Sequence, residues 1–521
     1  MFQRNTLIEQ LRSDAEWDVV VIGGGATGLG VALDSTTRGF KTLLLEQVDF
    51  AKGTSSRSTK LVHGGVRYLA QGNIDLVREA LYERGLMLKN ASHLVSNQSF
   101  IIPNYRWWDS FLYTVGLKVY DFLSGKLSFG KSAGISKEET AERLQTINQE
   151  SLRGGVVYQD GQFDDSRLAV NMAQTCIENG ATVLNHCKVE QILKGADSKV
   201  NGVVVKDTET SIVYTVNAKS VINATGVFSD AILKMDNKSA KDSIRPSQGV
   251  HIVLDKSFLP GTDAIMIPKT DDGRVLFLVP WHNRVIVGTT DTLLNSHSLE
   301  PTALEQEVDF ILSTANRYLV KKVTRQDVLS IYAGLRPLAA PKDKSEKTKE
   351  ISRSHKIIVS DSDLVTITGG KWTTYRRMAQ DTMNKIIGLG KLPSAKCNTK
   401  SLRIHGANGA VDKTQPMAVY GSDKKEIEAL IKSSPELGEK LHHRIEFTKA
   451  EVVWAVRNEM ARTIEDVLAR RVRVLFLDAK AAIEIAPKVA DIIATELDRG
   501  EDWKSEQISS FIKMASGYVL N

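Results

Sequence analysis

The chain has 521 residues, 42% hydrophobic, 25% charged and 7% aromatic, enough to bury a sizeable core in roughly two to four domains. Its 37 glycines and 12 prolines are near average usage, which excludes collagenous and low-complexity classes. A formal net charge of +6 is small for this length; no nucleic-acid partner is expected, while anionic substrates or an acidic membrane remain open.

Residues 6–16 read as a short polar helix or arm. The stretch Met1-Phe2-Gln3-Arg4-Asn5 lacks the apolar core of a signal peptide. Asp18–Ile22 is a short apolar run, as expected of a parallel strand buried on both faces. Gly23-Gly24-Gly25-Ala26-Thr27-Gly28 follows, then a small-residue helix over 29–38 and a second buried strand over 41–46. This is a β-α-β unit. Residues 74–94 carry Leu76, Val77, Ala80, Leu81 and Leu88 at helical spacing. Residues 107–130 are aromatic and apolar. A helix is predicted over 166–182, with strands near 182–193, 200–206, 211–216 and 221–226. Residues 245–290 alternate as antiparallel strands with a turn at Asn283-Arg284. The Lys-rich stretch 342–349 reads as a charged loop. Leu364–Thr368 is a strand, followed by Gly369-Gly370-Lys371 and a helix to about 387. Gly, Pro and Ser punctuate 388–416 as a linker. Residues 422–521 are mostly helical, with a capping box at Thr448-Lys449-Ala450-Glu451 and a candidate cap at Asp478.

Cys176, Cys187 and Cys397 form no close pair, which argues against a disulfide framework and against a metal centre. No run approaches the roughly 18 apolar residues of a spanning helix. A protein that is soluble or rests on a membrane surface is expected.

The Gly23–Gly28 block matches GxGxxG in its confirming context, after a buried strand and at a helix start. Gly23 permits the tight turn, Gly25 lets a pyrophosphate approach, and Gly28 lets helix pack on strand. The helix N-terminus then faces the phosphates. Glu46, closing the second strand, is placed to accept ribose hydroxyls and would repel a 2′-phosphate. That disfavours NADP and leaves FAD and NAD. Ala224 to Gly226 and Gly369-Gly370-Lys371 supply the further small-residue turns and helix start that a long flavin needs. Gly369–Thr373 is not a phosphate-binding P-loop, because Lys371 is not followed by Ser or Thr.

These blocks, together with Gly53–Leu69, Asn223–Asp230, Ala333–Leu338, Ser352-Arg353, Thr368–Arg376 and Glu459–Arg471, resemble the FAD-dependent, respiratory glycerol-3-phosphate dehydrogenases. The resemblance runs over nearly the whole chain, and the segment Ser58–Leu69 is its most specific part. It implies an α/β fold: a doubly wound Rossmann-like FAD domain with an inserted antiparallel substrate domain and a helical C-terminal cap. The expected FAD-binding segments are about 16–100, 150–244 and 355–390. The substrate-binding segments are about 101–149 and 245–354, and the cap is 401–521.

The implied activity is oxidation of sn-glycerol 3-phosphate to dihydroxyacetone phosphate, with electrons passed through FAD to a membrane quinone. Arg336 and Arg353 are the phosphate candidates, since guanidinium is permanently charged and bidentate. His251 is the candidate base for the C2 hydroxyl. Lys371 and Arg67 are candidate cations beside flavin and substrate, and Tyr68 could orient the substrate. Cofactor contacts are expected from Gly23, Gly25, Gly28, Glu46, Thr54, Ser55, Ser58, Thr59, Lys60, Val62, Val189, Ala224, Gly226, Gly370, Lys371 and Thr373. The implied location is cytoplasmic, peripheral on the inner face of the cell membrane; a homodimer is left open. Residues 107–131 offer aromatics interspersed with Arg106, Lys118, Lys126 and Lys131, which suits an interfacial belt as well as a buried helix pair. The run Arg470-Arg471-Val472-Arg473 could meet acidic lipid, but a solvated face or salt-bridge partner is the favoured reading. Two alternatives stay open: an oxygen-using oxidase of the same fold, and a flavin-binding protein without turnover.

Overall fold

A computed structural model describes all residues except 1–3, 13–15, 67–68, 70–71, 107–108, 271–272, 340–353, 410–411 and 521. The β-α-β unit lies at the centre of the first sheet. The strand Trp17–Ile22 pairs in parallel with Thr42–Leu45 on one side and with the end of Val213–Asn223 on the other. Thr182–Leu184 and Val365–Gly369 extend the parallel layer, and His355–Val359 closes one edge antiparallel. The two strands expected near 211–216 and 221–226 are one. Val213–Asn217 pairs antiparallel with 202–206, and 218–223 pairs with the central strand, so a single strand serves two ladders.

The helix Ala26–Thr37 is built of small residues for a steric reason. A Cβ at Gly30 would stand 2.9 Å from the Tyr375 ring on the helix Tyr375–Gly388. Larger residues would hold these two helices apart.

Among the described residues, the second sheet has ten strands. Val95–Asn104 and Gly154–Phe163 pair along their full length within it. Ile244–Asp255 lies between Arg284–Gly288 and Val328–Ala339. The hairpin turn is His282-Asn283 rather than Asn283-Arg284. Both turn residues have positive φ, 45° and 56°, which a two-residue hairpin with right-handed strand twist demands.

The expected linker 388–416 is instead tied down where it is described. Leu392, Ile404 and Ala407 are buried, and the Ile404 N–H donates to the Asn90 carbonyl at 2.8 Å. Beyond it stand the helices Lys449–Asn458, Ala479–Leu497 and Glu501–Ala515. Both predicted caps form: the Glu451 carboxylate accepts the Thr448 N–H at 2.7 Å, and Asp478 accepts the Ala481 N–H at 2.9 Å.

The basic run 470–473 is neither solvated nor available to lipid. Arg470, Arg471 and Arg473 are fully buried. Arg471 grips Asp49 at 2.9 and 3.0 Å, Arg470 pairs with Asp49 and Asp466, and Arg473 pairs with Asp164. These are salt bridges from the cap into the body.

A second cap contact is pH-dependent. His405 lies between Glu178, 2.6 Å away, and Asp423, 2.8 Å away. Burial alone would lower its pKa, but the hydrogen bonds to Asp423 and Glu178 outweigh it and lift His405 to about 9. The folded pKa is above the unfolded value of about 6.5, so this stabilisation is complete at pH 6 and vanishes as pH rises through about 9. We expect His405→Ala to lower the unfolding free energy by about 1–3 kcal/mol at pH 6 and by little at pH 10. Urea titrations at a series of pH values check this.

Candidate active site

Two adjoining cavities lie between the sheets, each about 300 Å³ or slightly less (≈ 300 and ≈ 280 Å³). The first begins at the opening βα turn. Gly23 has φ +109°, a conformation that favours glycine. A Cβ at Gly28 would stand 1.9 Å from the Gly23 carbonyl oxygen, so helix and turn touch only because both residues are glycine. Gly23, Gly25, Glu46, Thr54 and Ser55 line this cavity. Val189, Ala224 and Gly226 face them. The Glu46 carboxylate accepts the Gly24 N–H at 2.7 Å and the Val48 N–H at 3.0 Å. Burial still raises its pKa against those two bonds. The Ser55 hydroxyl accepts the Ala26 N–H at 2.9 Å, occupying one free donor of the helix start.

Gly369, Gly370, Lys371 and Trp372 line both cavities and mark where they meet. Gly369 and Gly370 both have positive φ, and a Cβ on Gly370 would stand 2.4 Å from Met378 Sδ. The Trp372 indole donates to the Ser55 carbonyl at 2.9 Å, tying the two sides of the seam together.

The second cavity holds the substrate candidates. Arg336 projects from Val328–Ala339 beside Ser247. It donates to Thr289 Oγ1 at 3.1 Å and to the Thr290 carbonyl at 3.0 Å, and pairs with Asp291 at 3.3 Å. A Cβ at Gly249 would stand 2.3 Å from the guanidinium, so glycine there makes its room. His251 is on the neighbouring strand. Its Nε2 is 2.8 Å from Thr59 Oγ1, and its ring stacks on Tyr332. Burial, then the Arg336 and Lys60 charges, hold its pKa well below the ordinary histidine value, so the ring is neutral. Ser58, Thr59 and Thr373 line the same cavity.

Some expected contacts are elsewhere. Lys60 is fully buried facing away from the cavity, paired with Asp165 at 2.8 Å. Val62 packs in the core of the first sheet. Arg67, Tyr68 and Arg353 lie outside the described residues. The structure adds groups that motif reading passed over: Arg57, Asp160, Thr289 and Asp291 line the second cavity. Arg57 is held by Glu300 at 2.7 Å, and Asp160 by Arg84 and Tyr120, each at 2.7 Å. The motifs did not single them out, because the partners that hold them are 40 or more positions away.

Residues 18–376 match the family described as FAD dependent oxidoreductase, and 363–507 match the C-terminal domain of alpha-glycerophosphate oxidase. A probable mitochondrial glycerol-3-phosphate dehydrogenase of Caenorhabditis elegans is 40% identical, covering 99% of this chain and 75% of the relative. The mitochondrial enzyme of Homo sapiens is 38% identical over 99% of this chain and 76% of its own. The solved glycerol-3-phosphate dehydrogenase of Bacillus halodurans, complexed with FAD, has a TM-score of 0.77 at 27% identity, covering 100% of this chain and 99% of the other.

The chain belongs to the FAD-dependent glycerol-3-phosphate dehydrogenase family. Its cofactor is FAD, and the residues present fit that group. A 12-residue helix opens on the Gly23–Gly28 turn, the half-buried Glu46 carboxylate lines the same cavity, and the cavity runs on to a glycine seam carrying Lys371. Family membership also gives the Gly28 contact a consequence. Gly28→Val forces the helix off the turn, and we expect loss of most FAD at normal expression. Flavin absorbance of the purified protein, set against its circular dichroism, checks it.

Proposed function

We propose that the protein oxidises sn-glycerol 3-phosphate to dihydroxyacetone phosphate and passes the electrons to a membrane quinone. One observation carries the reading: a fixed cation and a neutral imidazole share a cavity that opens onto the flavin cavity at the seam 369–372. Arg336 binds the phosphate dianion in place of part of its contact with Asp291. His251 is the base for the C2 hydroxyl; being neutral, it can take a proton. Lys371 brings positive charge to the seam, where negative charge develops. Arg67, Tyr68 and Arg353 are proposed to complete this set. Bound FAD supplies the two-electron acceptor. The described residues hold no helix long and apolar enough to cross a membrane.

For contact with quinone we propose that the helix Asp109–Ser124 lies in the membrane interface. Phe111, Val115, Val119 and Phe122 are 77%, 48%, 45% and 84% exposed and fall on one stripe of this helix. Leu117 and Tyr120 point inward and are buried. Lys118 and Lys131 are exposed along the same segment and suit acidic headgroups. The location we infer from this reading is the inner, cytoplasmic face of the cell membrane.

Anaerobic glycerol 3-phosphate is expected to bleach the flavin absorbance, and glycerol is not. No bleaching would sink the assignment. Comparing turnover in air with turnover on a quinone analogue separates oxidase from dehydrogenase. Arg336→Ala should raise KM for glycerol 3-phosphate about 10- to 100-fold with FAD content retained, the loss of a charged hydrogen bond worth roughly 1.5–3 kcal/mol. Phe111→Ser with Phe122→Ser should cut sedimentation with anionic vesicles while leaving flavin bleaching intact. Unchanged sedimentation would remove this helix from the interface.

A further inference from the structure

We propose that the Thr59 hydroxyl meets the substrate's C2 hydroxyl and relays its proton to His251. The inference rests on the reading that this cavity takes glycerol 3-phosphate and that His251 is the base.

His251 lines the cavity but is only 3% exposed, so its ring offers little surface to a substrate. One face is covered by Tyr332, with ring centroids 4.9 Å apart and planes 16° off parallel. At the Cδ2 edge stands Gly288, where a Cβ would be 2.3 Å away. Nδ1 is buried with no hydrogen-bond partner in the protein. Nε2 faces the Thr59 hydroxyl at 2.8 Å. Thr59, by contrast, is half-buried and lines the cavity. Ser58, Thr59, Leu61 and His63 line the cavity, while Lys60, at φ +61°, and Val62 are turned away and fully buried. Lys60 is fixed by Asp165 at 2.8 and 2.9 Å and by the Ser56 carbonyl at 2.6 Å, and this anchors the face that Thr59 presents.

A hydroxyl donates and accepts at once, which a relay requires. With the ring hydrogen on Nδ1, Nε2 accepts from Thr59. In the reaction the substrate O–H bond breaks and its proton goes to Thr59 Oγ1, as the Thr59 hydrogen passes to Nε2. The electron pair left on the substrate oxygen closes the C2=O bond, and the C2 hydrogen leaves with its own pair as hydride to the flavin. The imidazole ends cationic. The charged and titratable groups around it are Arg336, Lys60 with Asp165, and Tyr332. A phosphate seated on Arg336 offsets the nearer cation's opposition to that charge.

The test compares Thr59→Val and Thr59→Ser in the FAD-loaded protein by anaerobic stopped-flow. Thr59→Val is expected to slow flavin reduction about 100-fold or more, with FAD content retained, and Thr59→Ser to restore most of the rate. The solvent-isotope proton inventory of the wild type and of Thr59→Ser is expected to be bowed, as for two protons in flight. A readout without turnover is the ¹⁵N spectrum of His251 in the resting protein, which should show Nδ1–H and a hydrogen-bonded Nε2 that changes in Thr59→Val. A linear inventory, wild-type reduction in Thr59→Val, or a hydrogen resident on Nε2 overturns the relay. Should wild-type flavin fail to bleach at all, the functional reading itself falls; bleaching at equal rates in wild type and Thr59→Val removes the relay alone.

Discussion

The grip of Arg470 and Arg471 on Asp49 is the constraint on which the rest of the site depends. Asp49 begins the loop that continues through Thr54, Ser58 and Thr59. Burial would raise its pKa, but Arg471 and Arg470 hold the carboxyl far below the usual range. The cluster then spreads along the same loop. Lys52 pairs with Glu300 and Glu465, and Arg57 pairs with Glu300, which also accepts the Tyr518 hydroxyl at 2.9 Å. One network thus joins the nucleotide-binding unit, a loop of the second sheet and the cap. A buried charge is costly alone, and stranding one by deleting its partner costs about 3–5 kcal/mol. The network therefore fixes geometry more surely than it adds stability. The loop that presents Thr54 to Thr59 is held from three sides, as a site needs if donors are to stay within a fraction of an ångström of their targets.

This arrangement divides the cations by work. Those of the C-terminal run are spent inside, each against a carboxylate. Arg336 is restrained at one cavity wall by Asp291 and two threonines, and is positioned for an incoming dianion. Exposed lysines accompany the apolar stripe of Asp109–Ser124. That helix is not isolated from the site. The Tyr120 hydroxyl on its inner side accepts the Gly64 N–H at 2.8 Å and donates to Asp160, which lines the cavity. A surface element and the active-site strand therefore share one buried hydroxyl.

Local patterns made much of this legible in the sequence. The GxGxxG turn, the buried strands and both helix caps depend on neighbours within a few residues, and all formed where expected. Arg336 and His251 reached one cavity because adjacent antiparallel strands carry them, although no sequence spacing relates positions 251 and 336. The failures share a different cause. Arg470 to Arg473 are the salt-bridge partners expected of the run, but not its solvated face, and the burial was not legible because two of their carboxylates, Asp49 and Asp164, are hundreds of residues away. The 388–416 segment read as a linker from its composition, yet its anchors are Asn90 and Thr175.

Lys60 and Val62 show a subtler limit. A specific motif marks a whole segment, and every polar member of it was a reasonable cofactor contact. Lys60 has φ +61° and only Leu61–Val62 is strand, so a left-handed step in the backbone sets which side chains face the cavity. Thr59, Leu61 and His63 line the cavity, while Lys60 and Val62 are buried in the core. Lys60 then needs a buried anion, and Asp165 supplies it from the start of the helix Asp165–Glu178. The residue type suggested function, whereas the backbone conformation at Lys60 decided it. The same turn of the backbone that removes Lys60 from the cofactor leaves Thr59 between the cavity and His251.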